Sequence, residues 1–442
     1  MIPQEKKMKF FRFFYNLLFP LVFLAFLPGL IGKYRNRGGW KATFGERFGR
    51  FTPERKKELA AFHGAVWIHA VSVGEAVVAL SLVREWLKRN PEQKIVLSTT
   101  TTTGQELVRK QLPERCAAIF CPIDFAPWVR KTFDALQPSG LVIFETELWP
   151  NLIGEARRRG IPSMLVNARM SDHSARGYRK IRRIFGALLC ELDLISAQSE
   201  ADLKRYLSIA PEACAVNTGN LKFDQKVPEN LQALDTAGWF GEPAGTVIAA
   251  ASTHPGEEEL IAGTFLKLLP KHQELHLVIV PRHAERGGEI AEMLAGLDLS
   301  FCRKSLGKPD KPVRVLLADT TGEMLSIMKA SDIVIMGKSL AGQDEGHNLI
   351  EPALLGKPIV TGAVLKNFRY VQQILREADA LAEVHADGEL ESVLEQLIQD
   401  QTFRSGLGKK GSEAIRRNSG AIDRTLNLIT RHLDRKLSTD KA

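Results

Sequence analysis

Short, nearly unbroken apolar runs alternate with helical patterns along most of this chain. Residues 66–70, 95–99, 117–123, 141–144, 163–166 and 192–197 are such runs, and residues 75–88 between the first two read as an amphipathic helix. Strand-length runs without polar alternation predict strands buried on both faces, with helices crossing over between parallel neighbours. From 225 to 245 the pattern lapses into a stretch punctuated by Pro and Gly, which reads as a linker. A second series follows, with strands expected at 246–251, 275–280, 313–317, 332–336 and 358–361. A last helical pattern, about 400–433, is expected to return to the first lobe. The expected α/β organisation is therefore an N-terminal segment 1–34, a doubly wound domain 35–224, the linker 225–245, a second doubly wound domain 246–400 and a tail 401–442. Two such lobes are expected to hold ligand in a cleft at the carboxyl ends of their strands.

The first segment breaks this rhythm. Lys6, Lys7, Lys9 and Arg12 precede an apolar run from 13 to 31, and Lys33, Arg35 and Arg37 follow it. About 20 helical residues cross a bilayer core, so the run is just long enough. Pro20, Pro28 and Gly29 are expected to kink a helix there. No small-residue cleavage site follows; Arg37 and the 38–40 Gly-Gly-Trp come instead, which argues against a removed signal peptide. The segment reads as an uncleaved anchor, either spanning a membrane or lying in its interface, with basic flanks drawn to an anionic surface.

Composition adds little beyond this. The 442 residues carry a net charge of +9, mostly within the first fifty positions, so the basic excess is local. No zinc-finger spacing or basic stripe interleaved with aromatics accompanies it, which disfavours a nucleic-acid partner. Cys116, Cys121, Cys190, Cys214 and Cys302 form no CxxC pair and lie mostly in apolar runs, as reduced cytoplasmic thiols do.

Candidate chemistry clusters just after the predicted strands. In the first lobe, His69-Ala-Val-Ser-Val-Gly-Glu75 ends a strand and opens a helix. Glu75 reads equally as a charge favoured by the helix N-terminus and as a general base. Glu145 and Glu147 end the 141–144 strand beside Trp149 and Pro150, either to assist a sugar hydroxyl or to cap the next helix. The polar, basic loop from Asn167 and Arg169 to Arg179 meets an anionic substrate or merely solvent.

In the second lobe, Ser252-Thr-His254 follows a strand, and Pro281 and Arg282 place a cation where a ligand phosphate would lie. Gly322, Glu323 and Met324 open another helix. Gly337-Lys338-Ser339 invites a phosphate-loop reading, which fails because Asp332 stands where the first glycine belongs. Gly346 permits close backbone approach, and Asn348 is expected to cap a helix whose first amides bind phosphate. Leu349, Ile350 and Glu351 continue that turn, with Glu351 placed to accept from both hydroxyls of a ribose. No D-x-D, HExxH or GxSxG is present, and no Cys/His set has metal spacing.

Taken in order, these segments resemble the 3-deoxy-D-manno-octulosonic acid (Kdo) transferases of lipid A biosynthesis. The matching stretches are His69–Glu75, Glu145–Asn151, Asn167–Arg169, Gly219–Asp224, Ser252–His254, Pro281–His283, Gly322–Met324 and Gly346–Pro352. The resemblance implies a GT-B fold of two Rossmann-like lobes and an inverting transfer of Kdo from CMP-Kdo to a lipid A precursor (lipid IVA), without a metal or other cofactor. It implies Glu75 as the base on the acceptor hydroxyl, with Glu145 and Lys222 stabilising the transition state and Glu147 in reserve. It implies CMP contacts from Pro281, Arg282, Gly322, Glu323, Met324, Asn348, Leu349, Ile350 and Glu351. The implied partners are CMP-Kdo, a phosphorylated glycolipid and an anionic membrane surface, at the inner membrane with both lobes cytoplasmic. Two rivals remain: a GT-B enzyme using a UDP-sugar, and a noncatalytic nucleotide-sugar-binding protein, which leaves the Glu75 and Glu145 loops without a task.

Overall fold

A computed structural model describes residues 4–35, 45–242 and 245–439, with side chains described over 6–25, 45–242 and 245–435. Arg37, the 38–40 Gly-Gly-Trp, and positions 243–244 of the expected linker lie outside the described residues, as do the side chains of Pro28, Lys33 and Arg35. The chain divides into two compact units: residues up to Asp224 together with those from Ser419 onward, and Gln225–Asn418.

The first unit is built on a parallel sheet of seven strands: β1 (Val66–His69), β2 (Ile95–Thr99), β3 (Cys116–Phe120), β4 (Gly140–Phe144), β5 (Ser163–Ala168), β6 (Leu194–Ala197) and β7 (Ala215–Asn217). Their order is β3-β2-β1-β4-β5-β6-β7, the doubly wound order extended by one strand. Successive β1 residues serve opposite faces: Val66 and Ile68 enter one apolar cluster and Trp67 the other. That two-sided burial is why the central strands lack polar alternation.

The second unit repeats the architecture with β8 (Val247–Thr253), β9 (His276–Pro281), β10 (Phe301–Arg303), β11 (Val315–Leu317), β12 (Ile333–Met336), β13 (Ile359–Gly362) and β14 (Leu381–Val384). All pair in parallel in the order β10-β11-β9-β8-β12-β13-β14. Three strands were not expected: β7, β10 and β14. Each lies at a sheet edge and is only partly buried, so its residues carry no continuous apolar run.

Two helical expectations change. The 400–433 pattern is two helices, Gln401–Arg417 in the second unit and Ala421–Thr439 in the first. The re-entry is held by Asp224, whose carboxylate accepts from the amides of Gly420 and Ile422. At the other end, α1 (Gln4–Arg35) is helical throughout, so neither Pro20 nor Pro28 interrupts it. The linker stretch contains a short helix, Ala237–Phe240, which buries Trp239 and Phe240 in the second unit's core.

Candidate functional site

In each unit the strand order reverses beside the central strand, between β1 and β4 in the first and between β8 and β12 in the second. Such switch points splay the following loops apart and open a crevice at the carboxyl edge of the sheet. The sequence-predicted residues gather there.

In the first unit β1 leads into α2 (Val73–Arg89). Ser72 caps that helix, with Oγ accepting from the Glu75 amide at 3.3 Å. The Glu75 carboxylate reaches back, accepting from the Val71 amide and the Ser72 hydroxyl at 2.9 Å each. This resembles a capping box, except that the carboxylate takes the amide before the cap residue rather than the cap's own, so the helix-terminus reading of Glu75 is correct as structure. It does not exhaust the group, because a carboxylate has about four lone-pair directions. Burial, opposed by the Val71 hydrogen bond and reinforced by the negative charges of Glu145 and Glu147, raises its pKa above the ordinary carboxylate value. A carboxylate so placed is a better proton acceptor near neutral pH than an exposed one.

Glu145 ends β4, next to β1 in the sheet. Its carboxylate is buried and bound by two cations, Arg169 Nε at 2.8 Å and Lys222 Nζ at 3.4 Å. The structure therefore joins Glu145 and Lys222, which arrive from different strand ends. The capping alternative for this loop is overturned for α3 (Pro150–Arg158). Asp124 caps that helix instead, accepting from the amides of Asn151 and Leu152 at 3.0 and 2.8 Å. Its burial pushes its pKa up to about 6. Glu147 accepts from Trp149 Nε1 at 2.7 Å and stays close enough to raise the pKa of Glu75.

Asn167, read from sequence as the start of a loop meeting an anionic substrate or solvent, tethers a neighbouring turn instead. It lies, with Val166, in the stretch where β5 slips register against β6, and its Oδ1 accepts from the Leu221 amide at 3.1 Å. That bond secures the turn Leu221–Asp224, which carries Lys222. Its buried Nδ2 has no hydrogen-bond partner in the structure.

In the second unit Ser252 occupies a matching position, the additional residue where β8 slips against β9. Glu145, Asn167, Ser252 and Lys338 all hold positive φ, between 50° and 59°. For residues other than glycine this conformation costs energy and persists only where surroundings enforce it. Glu257 supplies part of that enforcement: fully buried, it accepts from the amides of His254, Lys338, Ser339 and Leu340 at 2.7–2.9 Å. One carboxylate thus ties the loop after β8 to the loop after β12.

Around this tie sit the donor-site candidates. Pro281 ends β9, and the Arg282 amide donates to Thr253 at 3.0 Å. His254 and His347 stack and share an Nε2–Nε2 hydrogen bond of 2.9 Å. Burial, then His254, Arg282 and Lys338, lower the pKa of His347 to about 4. Arg282 and Lys338 remain cationic beside these neutral imidazoles, a local charge suited to an anion. Gly322 has φ +89°; Glu323 pairs with Lys304 at 2.7 Å; and Met324 Sδ lies 3.2 Å from Ser252 Oγ. Gly346 is required twice over, by φ +72° and by Leu365, which leaves no space for a Cβ.

The expectation for Asn348 is corrected. The helix it precedes is only Ile350–Leu354, and Leu349 occupies the cap position. Asn348 Oδ1 still accepts from the Ile350 amide at 3.1 Å, so that amide is already spent. Its Nδ2 donates to Gln225 at 3.1 Å. Glu351 is largely buried, which raises its pKa.

Two doubly wound parallel units, each with polar loops at its switch point, define the GT-B type of glycosyltransferase fold. A glycosyltransferase from Rickettsia africae shares it, with a TM-score of 0.54 over 84% of this chain and 99% of that one at 12% identity. Sequence comparison narrows the class. The family model of 3-deoxy-D-manno-octulosonic-acid transferases (kdotransferases) matches residues 42–225. The 3-deoxy-D-manno-octulosonic acid transferase of Haemophilus influenzae is 33% identical over 96% of this chain and 100% of its own length. That of Bordetella pertussis is 32% identical over 90% of this chain and 94% of its own. The chain belongs to the 3-deoxy-D-manno-octulosonic acid transferase family and is a glycosyltransferase.

Proposed function

We propose that this enzyme transfers Kdo from CMP-Kdo to a sugar hydroxyl of a lipid A precursor, lipid IVA, with inversion at the anomeric carbon. The observation that carries the reading is the juxtaposition of a base-like carboxylate, Glu75, with the Glu145–Lys222 ion pair at the switch point of the first sheet. Glu75 removes the acceptor proton as the hydroxyl oxygen bonds to the anomeric carbon. The bond from that carbon to the CMP phosphate oxygen breaks, and CMP leaves with the electron pair. Lys222, held by Glu145, stabilises the charge developing at the reacting sugar. In the second unit Arg282 meets the phosphate, with backbone amides of the 348–351 turn other than that of Ile350. Glu351 accepts from the ribose hydroxyls, and Pro281, Gly322, Glu323, Met324, Leu349 and Ile350 complete the CMP pocket. No metal or further cofactor enters the scheme. The enzyme acts at the inner membrane, attached by α1, with both units cytoplasmic.

Incubating the full chain with CMP-Kdo and tetraacylated lipid A precursor tests this directly, read as product mass. Addition of Kdo, undiminished by a chelator and competed by CMP rather than UDP, is expected. Absence of any Kdo addition removes the proposal.

A further inference from the structure

One helix among the described residues is long and apolar enough to cross a membrane, with its apolar window at Lys6–Ala25. Its two faces have different fates. Met8, Arg12, Asn16, Phe19 and Phe23 recur at helical spacing and turn toward the first unit. Met8 is buried, and Arg12 forms an ion pair with Glu191 and donates from Nε to the Pro150 carbonyl at 2.8 Å. Gly154 makes room for the guanidinium, because a Cβ there would strike it. Asn16 and Asn151 exchange two side-chain hydrogen bonds of 2.8 and 3.0 Å, and Asn16 Oδ1 also accepts from the Ala126 amide at 3.0 Å. Phe19 stacks on Phe125 at 5.2 Å, and Phe23 meets Trp128 edge-on at 5.6 Å. The opposite face is apolar and largely exposed: Phe10, Phe13, Leu17, Leu18, Leu21 and Leu24 are each between 54% and 67% exposed.

We propose that α1 does not cross the membrane but lies in the plane of its surface. The apolar face enters one leaflet, and the polar stripe stays bolted to the globular body. This rests on the membrane attachment proposed above and decides its geometry. A perpendicular helix requires one of two costs. Either Asn16 leaves its partners and enters hydrocarbon, with Arg12 pulled from Glu191 to the flank of the span, or Glu191, Asn151 and the neighbouring loops follow them in. Lying flat avoids both, since water or protein keeps every polar partner. Charge fits the same surface. Lys6, Lys7 and Lys9 are exposed at one end of the helix, and Arg130 and Arg157 line an adjoining groove of about 960 Å³ that also contains Phe13 and Leu17. Cations beside an apolar face match an anionic headgroup above its acyl chain.

The full chain carrying different epitopes at its two ends, reconstituted into sealed phosphatidylglycerol–phosphatidylethanolamine vesicles, gives the test. In-plane helices leave both epitopes on one side of each molecule, so external protease removes both together. Protection of the N-terminal epitope on molecules that have lost the C-terminal one identifies a spanning helix and overturns the proposal while sparing membrane attachment. The double variant Leu17→Glu and Leu21→Glu, altered only on the exposed face, is expected to fold normally and lose vesicle binding by tenfold or more, on the order expected when charge enters an interfacial face. Unchanged vesicle binding by that variant also overturns it. A detergent-free dimer that ignores vesicles overturns both the geometry and the attachment.

Discussion

Lys222 Nζ lies 3.4 Å from the buried carboxylate of Glu145, which Arg169 holds from its other oxygen at 2.8 Å. The lysine thereby keeps a fixed position beside the end of central strand β4 while remaining partly open to solvent. A fixed cation costs little reorganisation when charge develops beside it, the condition under which such groups accelerate reactions most. Replacing Lys222 by Met is expected to lower kcat on the order of 10²–10³-fold. Donor KM should change little, since Arg169 still compensates Glu145. Steady-state kinetics separates the two parameters. A loss confined to KM assigns Lys222 to binding.

Glu75 predicts a pH profile. Its pKa is raised by burial first, with Glu145 and Glu147 adding to the effect against the hydrogen bonds from Val71 and Ser72. A base works ionised, so the rate is full above this raised pKa and falls as pH drops through it. The acid limb of kcat should therefore lie above the ordinary carboxylate value. Glu75→Gln is expected to cut transfer on the order of 10²–10⁴-fold and leave CMP-Kdo binding intact, measured by calorimetry. Near-normal turnover in that variant removes Glu75 as the base.

Asn167 gives a prediction about positioning. Its side chain binds the Leu221 amide at the start of the turn carrying Lys222. Asn167→Ala leaves that amide unpaired, at about 1–3 kcal/mol, and frees the turn. Thermal unfolding should register the first effect, and a fall in kcat exceeding that of a surface control the second. Asn167→Asp restores the acceptor and should recover part of the stability. If both variants retain full kcat, the tether has no catalytic consequence.

Gly346 tests the second unit. Alanine there meets both a positive φ and the Leu365 side chain, a strain of about 1–3 kcal/mol. Because Asn348 and Glu351 follow within the same turn, Gly346→Ala is expected to weaken CMP binding on the order of tenfold. Transfer at saturating donor should be affected less. Unaltered CMP affinity separates this turn from the donor site.

The sequence by itself determined the two parallel sheets, their central strands and the loops that bear the chemistry. Central strands bury both faces and must be apolar throughout, so Val66–His69 and Ile333–Met336 announce themselves. Edge strands β7, β10 and β14 bury less and carry no such signal. Contacts distant in sequence were equally hidden. The sequence shows acids near Trp149, but not that Asp124 caps the following helix and leaves Glu145 to Lys222. It shows Asn167 in a polar loop, but not that a register slip turns it toward Leu221. Composition marks α1 as apolar, while its two faces become distinct only when Glu191 and Asn151 arrive from remote elements to pair with Arg12 and Asn16. Local pattern reports what each segment must bury. Which polar groups meet depends on the order in which strands enter the sheet, and only the tertiary structure decides that.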